Sequence, residues 1–488
     1  MARVSTRSFL FFRLSPVRVN SSIAFAIEQG KTGKSFGVLS AKFETFERPL
    51  LTSKAKFPIR DLSQLVSEDL LNGIFKKKDF YGEGTLLVNV WDLYRDEVIL
   101  QKTLERIKTT SEENNRFEAK EGDVFFCRSS LKPEGVGWSC LLERLNEPAV
   151  FECHLIRARV NSKEILPSFL NYFARSYFGV SYIRAKSVVT TMATIDQGTL
   201  YNLPVICPPV EKQIELVAAM DEERSHRKQK LAESDQLISS IDAEILKILQ
   251  INQTINIPER KYFSVSNSSI KNSRFDAFFF QPHLISADLL IRNYKSGITE
   301  LSEILSMEPI NGIDSRKYVA FGERYLRVKN IKPFEIKTDD IVYVENNLSV
   351  KQRKINLLEN DILITRKGSF GICTKVDKSV TDCLISSEII LLRISKTSPY
   401  EVDFLVAWLN SSIIQSILNR HKSGAIMGHL TQDVIKQLPV PNISKNLQHQ
   451  IISEVKHRRS EAQRLRSEAE TGWQIAKQWF EDQLLGGS

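Results

Sequence analysis

Met192-Ala193-Thr194-Ile195-Asp196-Gln197-Gly198-Thr199-Leu200-Tyr201-Asn202-Leu203-Pro204-Val205 aligns without a gap to Met427-Gly428-His429-Leu430-Thr431-Gln432-Asp433-Val434-Ile435-Lys436-Gln437-Leu438-Pro439-Val440, at an offset of 235. Working towards the N-terminus, Phe169-Leu170 matches Phe404-Leu405, again at 235. Gly122-Asp123-Val124-Phe125-Phe126-Cys127-Arg128 matches Asn360-Asp361-Ile362-Leu363-Ile364-Thr365-Arg366 at 238, and Leu62-Ser63-Gln64-Leu65-Val66-Ser67 matches Leu301-Ser302-Glu303-Ile304-Leu305-Ser306 at 239. Four matches in one order, drifting by only a few residues, mark an internal repeat. At roughly 240 residues each copy is too long for a solenoid repeat and suits a duplicated domain with its own core.

Within each copy the texture changes once. The first part alternates strand-like runs (86–90, 124–127 and 155–160; 325–328, 362–365 and 389–394) with turn residues and one helix, 167–177 or 401–418, which predicts an α+β domain. The second part is a long helix introduced by proline: Pro208-Pro209 before 210–250, and Pro441 shortly before 447–484. Val210, Val217, Leu231, Ile238 and Ile245 recur every seven residues, with Met220, Ile241 and Ile248 at the companion position, so the first helix carries a coiled-coil seam. Arg224 and Arg227 interrupt it inside a run charged on every face. The second helix has a poorer heptad of Val455, Ala462, Leu465, Ala469, Ala476 and Trp479. Its small alanines predict packing against the bulky residues of the first, in a pair about 60 Å long that could hold two domains a fixed distance apart; the alternative is that each helix packs on its own domain.

The chain has 488 residues, 42% of them hydrophobic and 26% charged, an ordinary globular composition. No apolar run approaches the ~18–20 residues that cross a bilayer, which excludes a membrane span. The net charge is +9, and residues 1–60 hold eleven Lys/Arg against three Glu, a surplus of +8. Such a balance suits a polyanionic partner. Residues 1–22, with four Arg and no acid, have the composition of a transit peptide; the competing reading is the opening strand and loop of a basic domain. Six cysteines without a C-x-x-C pair read as reduced thiols in a cytoplasmic protein.

Enzymatic signatures are missing from the sequence. The only Pro-Pro, Cys207-Pro208-Pro209-Val210, lacks the amide and aromatic with which an adenine methyltransferase holds a flipped base. There is no phosphate-cradling Gly-x-x-x-x-Gly-Lys-Ser/Thr loop. Glu335-Ile336-Lys337 has the Glu-x-Lys form of a nuclease, but such tripeptides arise by chance in any charged chain, and the seven histidines show no metal-ligand spacing.

The order of α+β domain, Leu-Pro-Val, prolines, glutamine and long helix, repeated twice, resembles the specificity subunit of type I restriction-modification enzymes. The residues are Leu203-Pro204-Val205-Ile206-Cys207-Pro208-Pro209-Val210-Glu211-Lys212-Gln213-Ile214. In the second copy Pro441 to Gln450-Ile451 keeps one proline and the glutamine with two extra residues, and Arg274-Phe275-Asp276-Ala277-Phe278-Phe279-Phe280-Gln281-Pro282 is similar to the opening of a recognition domain in that family. The resemblance implies target-recognition domains at 1–207 and 271–441, an antiparallel pair of conserved spacer helices at 208–252 and 442–486, and a linker at 253–270. It implies a non-catalytic chain that binds a bipartite sequence in double-stranded DNA. Two methyltransferase subunits would methylate adenine and motor-nuclease subunits would cut, so S-adenosylmethionine, ATP and Mg would be needed only in those partners. The alternative is a duplicated protein-interaction scaffold that reads no DNA sequence.

Reading a duplex calls for Arg or Lys towards guanine, Asn or Gln towards adenine, and cations and hydroxyls towards phosphate. Loops after a core strand concentrate these types: Arg128, Ser129 and Lys132 in copy one, Arg366, Lys367 and Ser369 in copy two. A second cluster precedes each closing segment: Arg184 and Lys186, and Lys422, Ser423 and His429. A third holds Arg327, Lys329 and Asn330. The Arg128/Arg366 pair has a structural alternative, bracing a carboxylate of its own domain.

Overall fold

The computed structural model describes residues 42–189, 191–251, 259, 261–266, 276–346, 356–422 and 429–486. The chain divides into two compact units, residues 1–229 with 469–488, and residues 230–468. Most of the basic 1–60 segment, Ser423, Arg274 and residues 253–258, 260 and 267–270 of the expected linker lie outside the described residues.

In the first unit an antiparallel group of strands runs in the order Leu71–Asn72, Leu155–Ala158, Val124–Cys127, Ser139–Leu142, closed by a parallel Val98–Ile99. Val124–Cys127 is buried on both faces, so its residues are apolar without interruption and alternate between two cores. Val124 and Phe126 pack with Phe169, Leu170 and Phe173 of helix Pro167–Ala174. Phe125 and Cys127 turn the other way, to Leu86, Val88 and Phe151 of a second sheet ordered Glu105–Ile107, Tyr81–Val88, Ala149–Phe151, Glu118–Ala119.

The second unit also has a central strand between two groups of apolar residues. Its strands run Ile310–Asn311, Ile389–Leu392, Ile362–Thr365, Cys373–Lys375. Ile362 and Ile364 face Phe404, Leu405 and Trp408 of helix Val402–Leu409, while Leu363 faces Leu326, Ile385 and Val380. The closing segments play one role in both units: Pro204–Ile206 pairs antiparallel with Ile59–Asp61, and Pro439–Pro441 with Ile298–Glu300.

Two details depart from the sequence reading. The single helices expected at 167–177 and 401–418 are each a pair, Pro167–Ala174 with Tyr177–Lys186 and Val402–Leu409 with Ser412–Arg420. The break falls where Ser176 or Ser411 turns extended and caps the next helix with its hydroxyl. The proline-to-helix junction of the second copy also contains no insertion. The long helices begin at Val210 and Lys445, and the buried glutamines are Gln213 and Gln448, each pair at the same offset of 235. Gln213 accepts from Leu166 N at 2.8 Å and donates to the carbonyls of Glu164 and Pro208 at 2.9 and 2.8 Å. Gln448 likewise accepts from Glu401 N at 2.8 Å and donates to the Pro399 carbonyl at 3.1 Å. Gln450 is exposed.

The long helices Val210–Ser239 and Lys445–Leu484 each contribute to both units. In the first, Leu216 and Met220 join Trp473, Phe480 and Leu484 in the domain core, and Lys212 reaches Gln483 while Arg227 approaches Glu470, so the two stretches run antiparallel. In the second, Ile241, Ile245 and Leu249 pack with Ile451 and Val455. There Lys230 pairs with Glu468 at 3.2 Å and Glu244 with Arg458 at 3.5 Å. The buried positions follow the domains as much as a heptad: Ile238, expected in the seam, is exposed. Among the described residues no helix is long and apolar enough to cross a membrane.

Candidate nucleic-acid interface

The loops singled out in the sequence are held by a turn just before each central strand. Gly122 and Asn360 adopt positive φ, 86° and 72°, a conformation open to glycine and tolerated by asparagine. The turn points the next residue, Asp123 or Asp361, into the domain. Asp123 accepts from Lys120 N at 2.7 Å and from Nε and Nη2 of Arg159 at 2.7 and 2.9 Å. Asp361 accepts from Leu358 N at 2.8 Å and from the same two atoms of Arg393 at 2.8 Å each. Both carboxylates are buried, and these paired hydrogen bonds hold the Arg159 and Arg393 guanidinium groups above their ordinary pKa. A braced turn therefore fixes where the strand starts, and four residues later where the loop leaves it.

At the far end of that strand Arg128 donates its backbone N–H to the His154 carbonyl at 2.7 Å and accepts from Ile195 N at 2.9 Å. Arg366 does the same with the Glu388 carbonyl at 2.7 Å and Leu430 N at 3.2 Å. In the second unit the first and second clusters are thus brought together, because Leu430 follows His429; in the first unit the partner, Ile195, lies downstream of Arg184 and Lys186, which are not themselves in this contact. In the first unit a small sheet extends the contact, Ser129–Ser130 pairing with Ala193–Thr194 and that with Val188–Val189. The loop closes at Gly137 or Gly371, whose N–H returns to the Cys127 or Thr365 carbonyl at 2.7 Å.

The individual candidates differ in what they are free to do. Arg128, Lys132, Arg184 and Lys367 make no side-chain hydrogen bond or ion pair among the described residues, and Arg128, Lys132 and Arg184 are exposed. Arg366 is half-buried, with Nε donating to the Leu430 carbonyl at 3.0 Å; the brace it makes is to backbone and not to a carboxylate. Ser369 is exposed. Lys422 lies 5.8 Å from the centre of the Phe370 ring, beside the 366–370 loop, and His429 is half-buried next to Leu430. Lys186 is ion-paired with Glu44 at 2.5 Å.

The third cluster adjoins the second unit's loop, since a Cβ built on Gly368 would lie 3.8 Å from Val328. Its polar groups are engaged within the domain. Arg327 donates to the Asp340 carbonyl at 2.7 Å, and Lys329 pairs with the Asp340 carboxylate, holding it below its usual pKa. Asn330 is fully buried, its Oδ1 accepting from Arg327 N at 2.9 Å and its Nδ2 donating to the Lys337 carbonyl and Asp340 Oδ1 at 2.9 and 2.8 Å. An amide so enclosed shapes the loop and has no donor left for an adenine edge.

Sequence spacing also missed one grouping. Glu152, Cys153 and His154 bring their ligand-capable atoms within 4.8 Å of one another, the one such trio among the described residues. His154 Nδ1 and the Glu152 carboxylate hydrogen-bond to each other, and burial with the neighbouring carboxylate pushes the Cys153 thiol up to about 11. The trio is local to the turn that receives Arg128; the second unit has Ser386-Ser387-Glu388 there.

No family model matches the sequence. The Type I restriction enzyme StySPI specificity subunit of Salmonella potsdam is 23% identical over 188 residues, which are 38% of this chain and 39% of that relative. Among solved structures, a chain from work on complex assembly and conformational transition of the type I R-M system superposes with a TM-score of 0.50 at 14% identity, covering 88% of this chain and 99% of its own. The type I restriction-modification S subunit of M. genitalium gives 0.41 at 13% identity, over 89% and 97% of the two chains. In sequence the chain resembles a type I restriction enzyme specificity subunit, and in fold it is similar to a chain of the type I R-M system.

Proposed function

We propose that this chain is a specificity subunit that reads a bipartite sequence in double-stranded DNA. The observation that carries the reading is the recurrence of one device in both units: a buried Asp–Arg brace, a central strand, and a strand-end arginine joined by backbone to a second polar segment. Two copies of one reading device suit two half-sites. Direct readout would fall to the 128–136 and 366–370 loops, with Arg128, Lys132, Arg184, Lys367 and the terminal nitrogens of Arg366 supplying phosphate or base contacts. The paired long helices would be an antiparallel coiled-coil spacer setting the distance between half-sites, and would dock two methyltransferase subunits that methylate adenine. Motor-nuclease subunits would join that assembly, with S-adenosylmethionine, ATP and Mg bound by the partners and no catalysis in this chain.

The test is binding of the full chain and of Arg366→Ala to cognate and scrambled duplexes across a salt series, after a map of methylated adenines in the host genome has defined the cognate site. The expected map shows two short half-sites at fixed separation. Wild-type affinity falls steeply with salt, and Arg366→Ala loses preference for the cognate duplex with its fold intact. A shallow salt slope with no sequence preference refutes the reading and returns the chain to an interaction scaffold.

A further inference from the structure

Three segments meet at one edge of each unit. In the first, Ile74 N donates to the Phe151 carbonyl at 2.8 Å and Arg128 N to the His154 carbonyl at 2.7 Å, so the intervening turn lies between the readout loop and the segment that follows Ile74. In the second, Ile313 N donates to the Ile385 carbonyl at 2.9 Å and Arg366 N to the Glu388 carbonyl at 2.7 Å. The segments leaving that edge are Phe75-Lys76-Lys77-Lys78-Asp79-Phe80-Tyr81 and Asp314-Ser315-Arg316-Lys317-Tyr318-Val319-Ala320-Phe321. They do not match residue for residue, yet both hold large aromatic rings in solvent among cations. Phe321 is 91% exposed and Phe75 73%, with Phe80 and Tyr318 also exposed. Beside the first runs an open trough of about 760 Å³ whose lining includes Trp91, Tyr81, Lys76, Lys78 and Arg106.

A single exposed aromatic is ordinary on a protein surface. Its recurrence among lysines and arginines, at the same edge of both units and one turn away from the readout arginine, is a more specific arrangement. Cations that track phosphate together with aromatic faces on which bases stack are how proteins hold unpaired nucleobases. We infer that residues 75–81 and 314–321 are stacking platforms for an unstacked base, set beside each duplex-reading loop. The inference rests on the DNA-reading function proposed above and adds a task to it. When a base is extruded from a duplex for chemistry elsewhere, its former partner and neighbours lose their stacking. A phenylalanine ring presented at that point recovers part of this loss. Lys317 pairs with Glu345 at the surface, where a phosphate can replace the carboxylate cheaply; in the first segment Lys76 is largely covered and held by Glu113, and Lys77 and Lys78 are the exposed cations.

The experiment compares the full chain with a Phe75→Ala/Phe321→Ala double variant on three probes: a paired duplex, the same duplex with one unpaired adenine, and a single strand. Wild type is expected to bind the duplex with the unpaired adenine more tightly than the paired one. The double variant should lose that preference, with at least about a 5-fold fall in affinity for that probe and an unchanged salt slope. Phe75→Trp/Phe321→Trp should retain it, and the melting temperature of each variant should match wild type because the rings touch little. A parallel fall on the single strand assigns the platforms to unpaired bases in general; a fall confined to the duplex assigns them to bases displaced within it. Wild type that binds the paired duplex with sequence preference but ignores the unpaired adenine overturns the inference and leaves DNA reading intact. No salt-dependent binding to any probe overturns both.

Discussion

Replacing Gln448 with leucine puts a shorter, branched apolar side chain in its place and removes its hydrogen bonds. The amide is buried and holds Glu401 N at 2.8 Å and the Pro399 carbonyl at 3.1 Å, tying the long helix to the residue that opens helix Val402–Leu409. At about 1–1.5 kcal/mol for each bond, with both backbone groups left without a partner, the substitution is expected to cost about 2–3 kcal/mol. Gln213→Leu, which loses three bonds in the first unit, should cost about 3–5 kcal/mol. For units of this size about 2–3 kcal/mol lowers the melting temperature by about 4–12 °C. Calorimetry gives the shift, and hydrogen exchange at the Glu401 amide shows whether the loss is at this junction. Gln450→Leu is the control, expected to stay within about 0.5 kcal/mol of wild type because the residue is exposed. If Gln450→Leu costs as much as Gln448→Leu, or if Glu401 keeps its protection in Gln448→Leu, the junction has been misread.

Three further outcomes follow from other contacts. Arg393→Leu strips the buried Asp361 carboxylate of its guanidinium and should destabilise the second unit by about 3–5 kcal/mol in urea unfolding; Asp361→Asn in the same background should recover part of that. Burial lifts the Glu481 carboxyl to about 7, so between pH ~4.5 and ~7 the folded unit keeps a proton that the unfolded chain releases, and stability falls as pH rises through that window, by up to about 3 kcal/mol. Glu481→Gln, which can still accept from Tyr177 N, should flatten the loss between pH 5 and pH 8 in paired urea titrations; an undiminished slope assigns it to another group. Gly137→Ala requires φ of 71° and puts a Cβ 2.1 Å from Ile183 Cγ2, so it should cost about 2–4 kcal/mol by thermal melting, and a variant as stable as wild type would contradict the loop geometry.

Much of this was legible in the sequence because repeated residues do repeated jobs. Gly122-Asp123 and Asn360-Asp361 stood out as a repeated pair just before a strand-like run, and that run is apolar except for Thr365 because it separates two cores. The glutamine was recognisable as a residue type but not as a position. Gln448 and Gln450 are both near the helix start, and only burial tells them apart. The helix breaks at Ser176 and Ser411 were hidden for a related reason: a serine cap inside an apolar run leaves the periodicity nearly undisturbed. Loop candidates fared least evenly. Arg128 and Asn330 look equally suited to a base edge as letters, but one stands in solvent and the other is enclosed by its own capping turn.

The first unit is assembled from both ends of the described chain. Trp473, Phe480 and Leu484 complete its core, Lys56 N bonds to the Leu484 carbonyl at 3.0 Å, and Gly486 N returns to Lys54. The second unit draws on one uninterrupted stretch, 230–468. On the ribosome, therefore, the half encoded first is completed after the half encoded later: its sheets wait with an open apolar flank until residues 469–484 emerge, while the later half already has all its parts. A stop codon shortly after residue 468 would spare the younger half and leave the older one unsealed, a target for chaperones and proteases.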